Sequence, residues 1–172
     1  MRLAQTVPGR CVPAYQLAAP ASGWRHCGPH RGAQAGQALG SSEWFEITQE
    51  RVNTFADATD DHQWIHVDPE RAAAESPFGG PIGHGFLTLS LFIPMWSQVL
   101  RVTDVKMGVN YGLNKVRFPA PVPVGAKIRL TATLLDVEEV KGGLQLTVAG
   151  VIEREGSDKP VCVLESVSRL YG

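Results

Sequence analysis

The chain has 172 residues, of which 44% are hydrophobic and 19% are charged, and its formal net charge is -1. This length suits one domain with a proper core, and the composition excludes a fibrous repeat or disorder of the whole chain. The near-neutral charge gives no electrostatic footprint for nucleic acid or for an anionic membrane surface. Three cysteines at unrelated spacings do not form a disulfide framework, so we expect the protein in a reducing cytoplasm.

Residues 1–40 are rich in Pro, Gly, Ala and Arg and show no period of 2 or 3.6 residues. This composition predicts a disordered tail, or residues that precede the true start of the protein, without a role in the fold. The tail contains His26, Cys27 and His30, with Cys11 nearby, but their spacing matches no structural zinc site. We therefore expect no metal site there and place the domain at residues 41–172.

The first part of the domain predicts a short strand followed by two helices. Residues 41–48 alternate as in a strand, and Thr48 is expected to cap a helix of about three turns, whose apolar residues recur at helical spacing. That helix leads to Asp61. Asp68 followed by Pro69 predicts a second, short helix that ends near Ser76.

A glycine-rich loop then precedes a strongly apolar helix that is predicted from about His84. Its apolar residues are not confined to one stripe, which indicates a helix that is buried on most sides. Pro94 removes one backbone hydrogen bond, so a kink or an early end is expected there. The apolar stretch 82–100 is interrupted by polar residues and Pro94, so we expect no membrane span.

From Val105 onward the apolar residues recur with a period of two, which predicts strands. Short turns at 141–143 and 155–158 fit antiparallel hairpins, while the proline-rich segment 116–125 is expected at an edge, a bulge or a loop. The predicted fold class is therefore α+β, a single domain with an antiparallel β-sheet wrapped round a long central α-helix. Such a sheet has an exposed edge that is usually paired, so we expect a homodimer.

Two motifs in the middle of the chain contain the candidate functional residues. In the first, Asp61 and His66 are five positions apart in a predicted non-helical turn and are followed by Asp68-Pro69. The second is Pro-Ile-Gly-His-Gly, which ends at Gly85 where the apolar helix begins. A carboxylate and an imidazole beside the start of a helix are typical of acid/base chemistry next to an anion-binding amide.

Together the two motifs resemble the hydratase motif of the MaoC-like dehydratase family, hot-dog-fold proteins that include the (R)-specific enoyl-CoA hydratases. The similarity extends from about Trp44 to Leu170, and the wording from Asp61 to His66 is most similar to the nodulation-protein-N-like branch. The resemblance implies a hot-dog domain that reversibly adds water to a trans-2-enoyl thioester, giving an (R)-3-hydroxyacyl thioester. It implies an acyl-CoA or acyl-carrier-protein thioester as substrate, and the reaction needs no metal or redox cofactor.

The resemblance implies catalytic roles for Asp61 and His66 and an oxyanion-binding role for the backbone N–H of Gly85. Histidine suits a general base near neutral pH, and Asp61 could orient the water or return the proton to C2 if burial raises its pKa. Which of the two holds the mobile proton stays open. The family more commonly has Asn-Pro where this chain has Gln63-Trp64; Gln63 is a candidate for orienting the pair, and Trp64 for a wall of the acyl tunnel.

Other residues of these segments are expected to be structural. His84 is a candidate for the site, but we expect it to support the start of the helix rather than to act on substrate. His62 is expected to face solvent, and Cys162 to be a small core residue. Lys115 and Arg117 are candidates for contacts to CoA phosphates, although a solvated strand edge is the simpler interpretation.

Two other functions remain open at this point. One is a hot-dog acyl-CoA thioesterase. Enzymes of that kind usually rely on a carboxylate on the long helix, and the resemblance disfavours this function because the helical segment 86–100 contains no Asp or Glu. The other is a non-catalytic subunit that binds acyl thioesters, which the intact acid/base pair disfavours.

Overall fold

The computed structural model describes residues 15–18 and 35–172. Its helices are α1 (Gln49–Thr59), α2 (Trp64–Val67), α3 (Pro69–Glu75), α4 (Gly85–Ser90) and α5 (Phe92–Val99). Its strands are β1 (Tyr15–Ala18), β2 (Gln37–Ser41), β3 (Phe45–Glu46), β4 (Leu100–Thr103), β5 (Met107–Arg117), β6 (Lys127–Val140), β7 (Gly143–Arg154) and β8 (Cys162–Tyr171). None of the helices in these residues is long and apolar enough to cross a membrane.

The main sheet has six strands in the order β2-β6-β7-β8-β5, and β3 pairs with β6 beside β2. Every pair in it is antiparallel, and the turns that join β6 to β7 and β7 to β8 lie where the sequence predicts them. Gly142 and Gly156 in these turns have φ of 83° and 72°, a backbone conformation that glycine adopts without strain. The predicted α+β class with an antiparallel sheet is confirmed.

The sheet begins earlier in the chain than predicted. Strand β2 pairs with β6, and Leu39 at its centre is 1% exposed and belongs to the core. Strand β1, also within residues 1–40, pairs in parallel with β4 in a separate two-stranded sheet. The prediction that residues 1–40 have no role in the fold is therefore wrong for these two strands. The zinc ligands considered above lie outside the described residues; they are Cys11, His26, Cys27 and His30.

The predicted caps of the first two longer helices are confirmed. The hydroxyl of Thr48 accepts a hydrogen bond from the backbone N–H of Arg51 (3.2 Å) at the start of α1. The carboxylate of Asp68 accepts one from the N–H of Arg71 (3.0 Å), and Pro69 occupies the first turn of α3. These bonds pair amides that have no partner within the helix, and they fix the two ends of the segment that contains Asp61 and His66.

The predicted long helix is divided into α4 and α5 at Leu91. Pro94 has no N–H to offer the carbonyl of Ser90, and its ring crowds that carbonyl, so the break lies just before the proline. One face of the two helices packs on the sheet through buried residues such as Phe92 and Met95. Phe86, however, is 68% exposed, so the expected burial on most sides is incomplete within one chain.

Strand β5 forms an edge of the main sheet, where β8 is its neighbour in the strand order. Four of its large apolar side chains are exposed: Met107, Val109, Tyr111 and Leu113. Between β5 and the helices α4 and α5 lie two open cavities of about 200 and 180 Å³, lined on the strand side by residues such as Asn110. The helices therefore do not fill the space above this edge. We call the exposed face of β5 and these cavities the β5 groove.

Candidate active site

His66 lies on α2, a single helical turn, and is 7% exposed. The prediction of a non-helical turn is therefore wrong for this residue. Three backbone bonds form the turn: His66 N and Val67 N donate to the carbonyl of Gln63 (2.9 and 3.3 Å), and Asp68 N donates to that of Trp64 (3.1 Å). A helix of four residues is too short for a helical period to be visible in the sequence. The turn directs the imidazole into the interior, while Asp61 stays in the loop that precedes it.

The imidazole of His66 has a defined tautomer. Its Nδ1 lies 2.6 Å from the backbone carbonyl oxygen of Ile82. Because a carbonyl can only accept, Nδ1 must donate, which leaves Nε2 of the neutral ring with a free lone pair. Burial lowers the pKa of His66 below 6.5, although its bond to Ile82 and the charge of Asp61 oppose this shift. The ring is thus a neutral base at physiological pH.

His84 lies against His66 and is almost fully buried, with 2% of its surface exposed. The two rings are stacked, with centroids 3.8 Å apart and planes inclined by 29°. The Nε2 of His84 donates to the backbone carbonyl of Asp61 (2.9 Å) and lies 4.0 Å from the Asp61 carboxylate. As expected, His84 precedes the first residue of α4, but it also joins the two predicted catalytic residues.

Asp61 is partly exposed, and its carboxylate accepts a hydrogen bond from the side-chain amide of Gln63 (3.2 Å). Gln63 is therefore placed to orient this carboxylate, as its position in the motif suggested. A carboxylate oxygen of Asp61, a ring nitrogen of His66 and a ring nitrogen of His84 all lie within 4.8 Å of one another. The carboxylate and the imidazole thus converge, although they come from a loop and a helix.

His66 and Gly85 line the same cavity of about 290 Å³, together with Thr88 and Phe118. Gly85 is the first residue of α4, so its N–H precedes the hydrogen-bond ladder of the helix. Because α4 has six residues, an anion there would depend on this amide more than on a long helix dipole. A Cβ at Gly85 would lie 3.3 Å from the ring of Phe118, so the glycine leaves space at this wall.

Residues 31–156 match a family model described as the MaoC like domain. The chain belongs to the MaoC-like dehydratase family. Among its MaoC-like relatives it is 59% identical over 138 residues to 3-hydroxyacyl-thioester dehydratase Z of Mycobacterium tuberculosis (strain ATCC 25618 / H37Rv), covering 80% of this chain and 91% of that protein. It is 48% identical over 127 residues to Nodulation protein N of Rhizobium meliloti (strain 1021), and this match covers 73% of this chain and 79% of that protein.

The structure is also similar to that of the (R)-hydratase from A. caviae involved in PHA biosynthesis, with a TM-score of 0.66 and 26% sequence identity. The match covers 82% of this chain and 99% of that one. The similarity to the MaoC-like family and its nodulation-protein-N-like branch is confirmed, and so is the hot-dog fold.

Several candidate residues of this MaoC-like domain lie away from the cavity. Trp64 is not among the residues that line it, and its ring lies beneath the guanidinium of Arg71, 4.5 Å from the ring centroid. The prediction that Trp64 walls the acyl tunnel therefore has no support within this chain. His62 is exposed, as expected, and pairs with Asp57 at 3.0 Å. Cys162 is a buried core residue, and burial raises the pKa of its thiol to about 11, which makes it a poor nucleophile.

Three contributions to the site of this MaoC-like domain were not predicted: the carbonyl of Ile82, the side chain of Thr88 and the ring of Phe118. A backbone carbonyl has no signature in the sequence, and Thr88 lies in a helix whose pattern is otherwise apolar. Phe118 lies in the proline-rich segment 116–125, directly before its first proline, and that position was the one available signal.

The cluster of Asp61, His66 and His84 contains donor atoms that also bind metals. Its geometry fits acid/base chemistry better. The lone pairs of an imidazole lie in its ring plane, and the planes of His66 and His84 are stacked, so the two rings do not direct lone pairs at one ion.

Proposed function

We propose that this protein is an (R)-specific enoyl-CoA hydratase, which reversibly adds water to a trans-2-enoyl-CoA to give an (R)-3-hydroxyacyl-CoA. The observation that carries the proposal is the cavity lined by both His66, a neutral base, and Gly85, together with the convergence of the Asp61 carboxylate on His66. Two relatives support the proposal: a 3-hydroxyacyl-thioester dehydratase that is 59% identical to this chain, and an (R)-hydratase of similar structure.

The addition requires a base, because water must lose a proton as it attacks C3 of the enoyl group. The lone pair on Nε2 of His66 is free to accept that proton, since Nδ1 donates to Ile82. Asp61 lies within the same cluster and is oriented by Gln63, so it can hold the water and exchange a proton with it. C2 receives a proton in the same reaction, and the closely spaced pair delivers it as a unit.

The addition also requires a donor for the thioester oxygen, which gains negative charge as the carbon–oxygen bond forms at C3. The N–H of Gly85 precedes the hydrogen-bond ladder of α4 and lines the cavity with His66, so it is placed to donate to this oxygen. Glycine permits the close approach, because a side chain at this position would contact the ring of Phe118.

The test is a spectrophotometric assay with trans-2-enoyl-CoA substrates of increasing chain length, starting from crotonyl-CoA. We expect loss of absorbance at the conjugated enoyl band, and chiral analysis should find the (R)-3-hydroxyacyl product. Release of free thiol without loss of this absorbance would indicate a thioesterase. Thermal stabilisation by acyl-CoA without turnover would indicate a binding subunit.

We also propose that the protein is a homodimer joined through the β5 groove. The exposed apolar residues of β5 and the space beside α4 and α5 support an occupant of complementary apolar surface, and a second copy supplies one. We propose further that the protein is cytoplasmic, that its substrate is a thioester of CoA or of a carrier protein, and that the reaction uses no metal or redox cofactor. Assays after chelation and with both thioester forms address the last two.

A further inference from the structure

His84 connects the two halves of the site. Its Nε2 lies 2.9 Å from the carbonyl oxygen of Asp61, and its ring stacks on that of His66. The ring of Phe55 lies on it at 5.1 Å between centroids. Because the Asp61 carbonyl can only accept, Nε2 of His84 carries a proton; a ring with a single proton then has its lone pair on Nδ1.

The Nδ1 of His84 is buried and has no hydrogen-bond partner among the described residues. A buried acceptor without a partner lowers stability, and most buried polar atoms in folded proteins are paired. Phenylalanine would fill the same space and stack on His66 without this cost. Packing alone therefore does not account for a histidine at this position, whereas the bond from Nε2 to Asp61 does.

The Asp61 carbonyl lies in a part of the chain without regular structure. The helix α1 ends at Thr59 and is followed by Asp60, which has a left-handed conformation with φ of 57°, and α2 begins at Trp64. Neither helix fixes the residue between them. A hydrogen bond from a buried side chain supplies what regular structure does not, and it limits the positions that the Asp61 carboxylate can reach.

The stacked rings have opposite tautomers. His66 donates from Nδ1 to Ile82, and His84 donates from Nε2 to Asp61. A 180° flip of either ring breaks its hydrogen bond, so each ring keeps its orientation and holds the other in the stack. We propose that His84 is a positioning residue, which fixes the Asp61 loop through its Nε2–H and the base His66 through ring stacking. This inference rests on the proposed hydratase function.

The charge on His84 also matters to His66. The ionisable groups that influence the pKa of His66 are His84, at the start of α4, and Asp61, in the loop between α1 and α2. A proton on His84 would lower the pKa of His66, and the carboxylate of Asp61 would raise it.

Two substitutions separate the donor from the ring. His84→Phe keeps the aromatic stack and removes the N–H, while His84→Gln loses the ring and keeps an amide donor near the Asp61 carbonyl. We expect kcat of His84→Phe to fall about 100-fold with KM within about threefold of wild type, as for a misplaced catalytic group. The kcat of His84→Gln should be about tenfold higher than that of His84→Phe. A His84→Phe enzyme with circular dichroism and kcat like those of wild type would overturn the proposal, and so would equal losses in the two variants.

A second measurement uses the unmodified protein, so it does not depend on the variants folding. Long-range ¹H–¹⁵N spectra of the full chain with ¹⁵N-labelled histidine report the tautomer of each of its five histidines. We expect His66 protonated at Nδ1 and His84 at Nε2. The same tautomer in both rings would overturn the inference whatever the activity. An inactive wild-type enzyme with the expected tautomers would instead refute the proposed reaction and leave the geometry standing.

Discussion

At the site between Asp61 and Gly85, the functional side chains are hydrogen-bonded to groups of the same chain. The apolar side chains of β5, in contrast, are largely uncovered by the described residues. His66 is bonded to Ile82, Asp61 to Gln63, and His84 to Asp61. Met107, Val109, Tyr111 and Leu113 are exposed on β5. The site thus has its supporting contacts within one chain, whereas β5 presents an apolar surface that we propose is covered by a second copy.

The largest expected effect is at the self-contained site. Asp61→Asn and His66→Ala should each lower kcat by about 10²–10⁴-fold, because each removes a group that transfers or orients a proton. His62→Ala is the matched control, since His62 is exposed in the same segment and pairs with Asp57. The assay is hydration of crotonyl-CoA, with circular dichroism to confirm folding. A near wild-type rate for either site variant would refute the assignment.

The next effect concerns the β5 groove. Val109→Glu would bring like charges together in a symmetric dimer, and we expect its dissociation constant to rise at least about 100-fold. Light scattering after size exclusion, over a range of concentrations, measures the change. Val151→Glu is the control, because Val151 is similarly exposed but lies on β7, inside the sheet. A monomeric wild type, or a Val109→Glu variant that stays dimeric, would contradict the proposed interface.

A smaller effect is expected at Gly85. In Gly85→Ala the new methyl group would lie 3.3 Å from the ring of Phe118, which must move by a few tenths of an ångström. We expect kcat to fall about tenfold, less than the loss that follows removal of an oxyanion donor. Gly80→Ala is the control, since a Cβ there meets nothing within 4 Å. Equal rates for the two variants would show that this wall does not restrict the thioester.

The smallest effect is on the pH profile. Burial lowers the pKa of His66, so the unprotonated base persists below pH 6.5, and the acidic limb of kcat/KM should lie below that value. The free energy of unfolding should also decrease as the pH falls. The contribution of His66 to it is fully present above 6.5, the pKa of the unfolded state, and is lost as the pH falls through the lower pKa of the folded state. An acidic limb above pH 6.5 would show that another group limits the rate.

Much of the fold was predictable because its signals are local. The cap at Thr48, the Asp68-Pro69 helix start and the glycines of the hairpin turns each act within a few residues. Strand β2 was missed because its pairing is distant: Ser41 meets Thr131, 90 residues later. Its register also shifts at a bulge beside Gly40, which hides any alternation.

For the site, the sequence identified the reactive groups better than the groups that orient them. The motifs and the resemblance they support pointed to Asp61, His66 and Gly85; in the structure Asp61 and His66 converge, and His66 and Gly85 line one cavity. Trp64 does not line the cavity within one chain, and its ring lies under the guanidinium of Arg71 from the next helix. The bonds that set the tautomers of the two histidines depend on backbone carbonyls, and a sequence pattern cannot show where a carbonyl points.

The backbone around Ile82 links catalysis to unfolding. Its N–H donates to Ile65 at 3.0 Å and its carbonyl accepts from His66, while Gly83 N–H donates to Val122 at 2.8 Å. Val122 lies in the segment that leads into β6, at the centre of the core. The carbonyl that orients the base is thus connected by backbone hydrogen bonds to α2 and to the segment that leads into β6. Heat inactivation and the calorimetric melting transition should therefore coincide, and the amide hydrogens of Ile82 and Gly83 should exchange as slowly as those of the central strands.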